Sequence, residues 1–253
     1  MGLSSNTIIH FTKKKSSLIG ILSDNFQIRY CHETVIHQQG NYNFLVPIVS
    51  FCDIPFSQIT NHINNYGCYG IGLSKKWAES KGLNPVLYIE KNSILSEHIT
   101  THAPRFILDS SKTTSIIKMS ADDRRAFDFI RYLKNYQGIL KRKGAKDKKD
   151  YRFSDEREWR YALNPSIQHQ AFGYFEHFSE KNIALGKNSL NKKIESERLK
   201  FSPKDINYII IKKEEERDSI IKIIENTKEK YSFQEVKRLA SRIISTEQLK
   251  TDF

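Results

Sequence analysis

The segment FSDEREWRYAL, residues 153–163, sets acidic and basic side chains close together. Read as a strand, it alternates. Trp159, Tyr161 and Leu163 then take one face, expected to be the core, and Glu156, Glu158 and Arg160 take the other. Two carboxylates two residues apart on a strand stand roughly 7 Å from each other. One can stabilise developing positive charge while the other orients a nucleophile. The same pattern also describes a solvated face on which Arg160 neutralises its neighbours. His10 and Thr12 project together from one side of a short β-branched run, opposite Ile9 and Phe11. They can hydrogen-bond a ribose or an amide, or His10 can be satisfied by nearby backbone. In NNYGCYGIGLS, Tyr66 and Tyr69 stand beside glycines that permit close approach of a ligand, although strand packing accounts for them as well.

A third feature is electrostatic. Residues 131–152 hold nine Lys and Arg against two acids, interleaved with Tyr132, Tyr136 and Tyr151. Lys141, Arg142, Lys143, Lys146, Lys148 and Lys149 suit phosphate contacts, and the tyrosines suit stacking on unpaired bases; a solvated helix end gives the same pattern. The whole chain carries 41 basic against 29 acidic residues, a net +12, which attracts a polyanion or an acidic partner. No GxGxxG and no phosphate loop occurs. The cysteines and four histidines before residue 69 match no familiar ligand spacing, so no metal is expected. Three cysteines without close pairs, no signal-like N-terminus and no apolar run of about 18 residues imply a cytoplasmic chain off the membrane.

These side chains need elements to hold them. Residues 7–11, 46–51, 69–74, 85–90, 158–163 and 207–211 read as strands, with Pro47 marking an edge. Ser16 or Ser17 caps a helix carrying Leu18, Ile21 and Leu22. A helix follows Pro55 and ends at Gly67, and Ser74 caps another that Gly82 stops. Residues 120–143 read as one long helix capped by Ser120, and 141–149 as an exposed loop. Asp122–Asp123 reads as part of that helix cap. The 164–205 stretch looks loop-like, and 213–230 and 233–250 read as two amphipathic helices. The expected class is α+β, with residues 1–212 as one domain containing the basic 120–152 segment, and 213–253 as a helical appendage.

The series IIHFTKKKSSLIGIL, PIVSFCDIPFSQI, YGIGLSKKWA, NPVLYIE and DEREWRY resembles the AbiGi-type abortive-infection phage-resistance proteins over roughly residues 7–163, with PKDINYIII a weaker likeness. Such proteins have been named antitoxins. His-x-Thr before a Leu-x-x-Ile-Leu helix, and Glu-x-Glu at a strand, are more distantly similar to DarT-type ADP-ribosyltransferases. That likeness implies a split sheet with flanking helices that clamps NAD. His10 and Thr12 would hold a ribose, Tyr66 or Tyr69 would stack on nicotinamide, and Glu158, with Glu156, would serve catalysis. It implies a phage-defence toxin that transfers ADP-ribose to RNA or DNA. The alternative is a non-catalytic antitoxin or nucleic-acid-binding regulator on the same fold, paired with a cognate protein.

Overall fold

The computed structural model describes residues 5–37, 40–98, 128–140, 146–163, 173–174, 180–227 and 229–252. In chain order the strands are β1 (Thr7–Thr12), β2 (Phe26–Gln27), β3 (Arg29–His37), β4 (Gly40–Cys52), β5 (Tyr69–Ser74), β6 (Asn84–Pro85) and β7 (Leu87–Ile89). Then come β8 (Leu133–Asn135), β9 (Gln137–Leu140), β10 (Lys148–Arg152), β11 (Glu158–Ala162), β12 (Gly173–Tyr174), β13 (Arg198–Leu199), β14 (Ile206–Ile211) and β15 (Ile243–Ser245). The helices are α1 (Lys15–Asp24), α2 (Ile59–Tyr66), α3 (Lys75–Ser80), α4 (Glu180–Lys193), α5 (Arg217–Asn226), α6 (Phe233–Ala240) and α7 (Thr246–Asp252). The class is mixed α+β, as the pattern of short β-branched runs and amphipathic stretches predicts. The chain forms two compact units, Met1–Gln27 with Ser50–Asn84 and Glu197–Phe253, and Ile28–Val49 with Pro85–Ser196.

In the first unit β1 runs antiparallel to β5, from Thr7 opposite Ser74 to Thr12 opposite Tyr69. The run NYIII forms β14 on the far side of β5, and Ile206, Ile209, Ile210 and Ile211 are fully buried. Each buried isoleucine contributes about 1.5–3 kcal/mol, which makes this an inner strand. Ile9, Ile54, Ile59, Ile63, Ile210 and Leu249 pack on one side of β1. His10, on its other side, meets Phe26 and Phe51 edge-on. Gly67, which ends α2, has φ 125°, and a Cβ there would lie 2.3 Å from the Thr12 carbonyl oxygen. The expected Ser74 cap is present, its Oγ accepting from Trp77 N at 3.2 Å. The expected serine cap of α1 is not; the helix begins at Lys15, after Lys14.

The C-terminal stretch departs from two long helices. Segment 213–253 supplies this unit with α5, α6 and α7 and also with β15, parallel to β14. Ile243–Ser245 interrupts the helical period because Ile209–Ile211 offers it a strand partner, and Ile209 N donates to Arg242 O at 3.1 Å. Main-chain pairing beside a buried strand outweighs the helical pattern of the surrounding residues.

In the second unit β3 and β4 form a long antiparallel hairpin, from Arg29 opposite Ile48 to His37 opposite Gly40. Neither β3 nor the length of β4 was expected. Pro47 is within β4 rather than at its start: it faces Tyr30 in register, and its carbonyl accepts from Leu163 N at 3.0 Å. Val35, Phe44, Val46, Ile48, Ile89, Ile130, Leu133 and Ala162 form the core. The long helix over 120–143 is not formed where the chain is described. Residues Phe129–Tyr132 make a 3₁₀ turn, β8 pairs in parallel with β7, and β9 pairs with β10 in an antiparallel hairpin. Ser120, Asp122 and Asp123 lie outside the described residues. Part of 164–205, expected as loop, forms α4 and β13.

Candidate active site

The chemistry-bearing residues of FSDEREWRYAL come together in the second unit, but not as alternation predicts. Glu158, Arg160 and Ala162 are the buried positions of β11, while Trp159 and Tyr161 are half-buried. The polar face of the strand is therefore its inward face. Glu156 is not on the strand at all. It ends the 3₁₀ turn Phe153–Glu156, and Arg157, in the left-handed conformation at φ 46°, turns the chain into β11. That turn brings both carboxylates to one cation: Lys134 Nζ, carried by β8, stands 3.0 Å from Glu156 Oε2 and 2.6 Å from Glu158 Oε2.

Arg160, with no exposed surface, forms the floor. Its Nε donates to Glu158 Oε1 at 2.9 Å, its Nη1 to Arg131 O at 2.7 Å and its Nη2 to Glu33 Oε2 at 3.2 Å. Glu33 comes from β3, so three strands and the turn before β11 build the cluster. The Tyr88 hydroxyl accepts from Glu158 N at 2.8 Å and fixes the start of β11. Beside it, Asn135 clamps β8 to β3, accepting from Ile36 N at 2.9 Å and donating to Thr34 O at 2.9 Å. Lys134 and Glu33 are the partly open members, with 18% and 19% of their side chains exposed.

Charge is apportioned unequally. Burial opposes ionisation of Glu158, but Arg160 and Lys134 outweigh it and hold the carboxyl well below the usual range. Burial raises Glu156 first, and the charges of Glu158 and Glu33 add to it, against Arg160, so its pKa is pushed up to about 9. Lys134 is within hydrogen-bonding distance of Glu156 but closer to Glu158, and a single ammonium cannot neutralise both. At neutral pH Glu158 is therefore ionised while Glu156 keeps its proton. Arg160 stays charged, since Glu158 and Glu33 overcome its own burial. Nearby, burial and then Glu33 push the Cys31 thiol up to about 11, so it is no thiolate nucleophile.

His10 and Thr12 lie in the first unit with Tyr66 and Tyr69. The His10 Nδ1 is 2.8 Å from Ser50 O. A carbonyl can only accept, so Nδ1 carries the proton and a neutral ring presents Nε2 as an acceptor. Burial lowers the His10 pKa more than the Ser50 bond raises it, which favours that neutral ring. Thr12 ends β1 and is half-buried. Tyr66 ends α2 and stacks on His62 at 5.1 Å. Tyr69 is buried, its hydroxyl donating to Glu216 Oε1 at 2.9 Å. Of the basic residues, Lys146, Lys148 and Lys149 are exposed on or just before β10; Lys141, Arg142 and Lys143 lie outside the described residues. Among the described residues no three His, Cys, Asp or Glu side chains gather to hold a metal, and no helix is long and apolar enough to cross a membrane. Sequence reasoning did not single out Lys134 or Glu33 for the site. Both are 24 or more positions from Glu158 in sequence, and only strand pairing brings them in.

A family model named AbiGi, described as an abortive phage resistance protein and antitoxin, matches residues 24–212. The matched stretch contains Glu33, Lys134, Glu156, Glu158 and Arg160 and begins beyond His10 and Thr12. A relative from Lactococcus lactis subsp. cremoris, the abortive phage resistance protein AbiGi, is 27% identical over 224 residues, covering 82% of this chain and 89% of the relative. No solved structure matches.

Proposed function

From the premise that the chain belongs to the AbiGi family of abortive phage resistance proteins, we propose that it acts in phage defence as an NAD-dependent ADP-ribosyltransferase with nucleic acid as acceptor. The observation that carries this reading is the pair of buried carboxylates held in opposite protonation states by their surroundings, Glu158 ionised and Glu156 protonated. Adjacent titrating groups driven apart are the usual mark of an acid and a base given separate tasks.

NAD would supply the ADP-ribosyl group and the nicotinamide leaving group. Glu158 fits a ribose hydroxyl at Oε2, the oxygen on the Lys134 side, while Arg160 anchors Oε1 from beneath. Its fixed negative charge would stabilise the positive charge that develops at the ribose carbon. Glu156, neutral, would offer a hydroxyl donor and a carbonyl acceptor to orient the incoming nucleophile. Lys134 would give up its bond to Glu158 when the hydroxyl arrives and keep the one to Glu156. Within the first unit, His10 Nε2 and Thr12 are separately able to hydrogen-bond a ribose or an amide.

A second reading also has an observation in its favour. Both Glu158 oxygens are already engaged, by Lys134 and Arg160, which closes the network within the unit. A closed network of that kind serves a binding protein, and the family description names an antitoxin. Incubating the chain with labelled NAD and separate pools of RNA, DNA and protein decides between them. Transfer to nucleic acid that disappears in Glu158→Gln supports the transferase. No NAD consumption, together with relief of toxicity from a co-expressed partner, supports the antitoxin.

A further inference from the structure

A cleft of about 710 Å³ opens in the first unit between α3 and the Lys200–Asp205 segment. Its walls are firmly tied. Trp77 Nε1 donates to Lys200 O at 3.2 Å, Phe201 N donates to Asn25 Oδ1 at 3.2 Å, and Ser202 N donates to Asp205 Oδ2 at 2.8 Å. On these walls stand four lysines, Lys76, Lys81, Lys200 and Lys204, each exposed. None of the four forms an ion pair among the described residues. The lining acid, Asp205, has Oδ2 engaged by the Ser202 N–H and hydroxyl, which closes its own turn. Four like charges line a concavity whose one lining carboxylate, Asp205, is taken up in its own turn.

We infer that this cleft binds the phosphate backbone of a single-stranded nucleic acid. The side-chain types select the ligand. Lysine is a hydrated point charge that suits phosphates tracked along a groove. An acidic protein surface is held better where aromatic anchors bury on contact. Trp77 and Phe201 are already 3% and 6% exposed, committed to the Phe26–Phe51 aromatic cluster. They form a floor and leave the lysines to do the binding. The inference rests on the proposed function for the class of partner, nucleic acid, and adds the surface that holds it. These lysines lie outside the basic 141–149 stretch, so the two surfaces are separately testable.

The test uses the whole chain and anisotropy of short labelled single-stranded RNA and DNA across a salt series. Replacing Lys76, Lys81, Lys200 and Lys204 together with Gln should weaken binding at least tenfold. It should also flatten the log–log salt slope by about 0.7 for each phosphate no longer neutralised. The four Lys→Arg replacements keep the charge and should retain binding. Competition by inorganic phosphate or a mononucleotide should be weak; either displacing the strand at low concentration would reassign the cleft to a small phosphate ligand. Poly-glutamate bound more tightly than nucleic acid, and released by the Gln variant, would make the ligand an acidic protein. A parent that fails to bind nucleic acid, or a Gln variant with the parent's affinity and slope, overturns the inference. Cleavage of NAD by water, measured in the same variant, should persist. If the parent cleaves no NAD yet binds nucleic acid through these lysines, the transferase reading fails and this one stands.

Discussion

Glu156→Gln swaps a protonated carboxyl for an amide of the same shape, and its consequences can be worked out from the cluster. In the unfolded chain Glu156 titrates at its ordinary 4.5, whereas in the folded chain its value is about 9. Between those values the folded state binds one more proton than the unfolded state, so stability falls as pH rises. The slope is about 1.4 kcal/mol per pH unit for one group. Across two units, from about pH 5.5 to about 7.5, the parent should lose about 2.7 kcal/mol relative to the Gln variant. At about 2–4 °C per kcal/mol that is a relative melting shift of about 5–11 °C. Glu158 has the opposite sign but a different window. Its contribution is complete above its ordinary value and is lost only as pH falls through its lowered value. His10, lowered by burial, adds stability as pH rises through its ordinary 6.5, equally in both proteins. Urea and thermal unfolding of parent and variant at a series of pH values therefore isolate Glu156. Parallel stability profiles, or a variant less stable than the parent at pH 7.5, would refute a protonated Glu156.

Other outcomes follow from the same geometry. Arg160→Met leaves Glu158 and Glu33 buried without their shared guanidinium and should cost about 3–5 kcal/mol, read by urea midpoint; a loss under about 1 kcal/mol would mean that the cluster is not the closed network described. Under the transferase reading, Glu158→Gln should keep the far-UV spectrum while relieving growth arrest on expression, and undiminished arrest would remove Glu158 from catalysis. His10→Ala deprives Ser50 O of its donor and should cost about 1–3 kcal/mol, more than an exposed histidine would. It should also weaken NAD binding by calorimetry, and unchanged affinity would leave His10 purely structural. Replacing Lys146, Lys148 and Lys149 with Gln should reduce the salt slope of nucleic-acid binding if the β9–β10 hairpin contributes, and an unchanged slope would mark it as a solvated turn.

Elements marked by local signals are legible in the sequence, and those held by distant partners are not. β1 and β14 were legible because each carries its own β-branched run, β5 as a short glycine-containing apolar run, and the ends of α2 and α3 because Gly67, Ser74 and Gly82 are local signals. The two glutamates and Arg160 could be singled out from residue type and spacing alone. Their surroundings could not. Alternation assigns two faces to β11 but does not say which one is covered, and the expected assignment was reversed. Trp159 and Tyr161 look like core, yet packing buries Glu158 and Arg160, because Lys134 and Glu33 arrive from β8 and β3 to pair with them. The helix expected over 120–143 gives way, where described, to strand pairing with β7 and β10, and the helix over 233–250 to pairing with β14. A strand's partner is distant in sequence, so its stabilisation leaves little local trace. The sequence by itself determined the α+β class, the basic character and the acid–base residues of the candidate site. The tertiary structure alone decided which face is buried, which cation lies between the carboxylates and which of the two keeps its proton, because burial and charge pairing are properties of the packed chain.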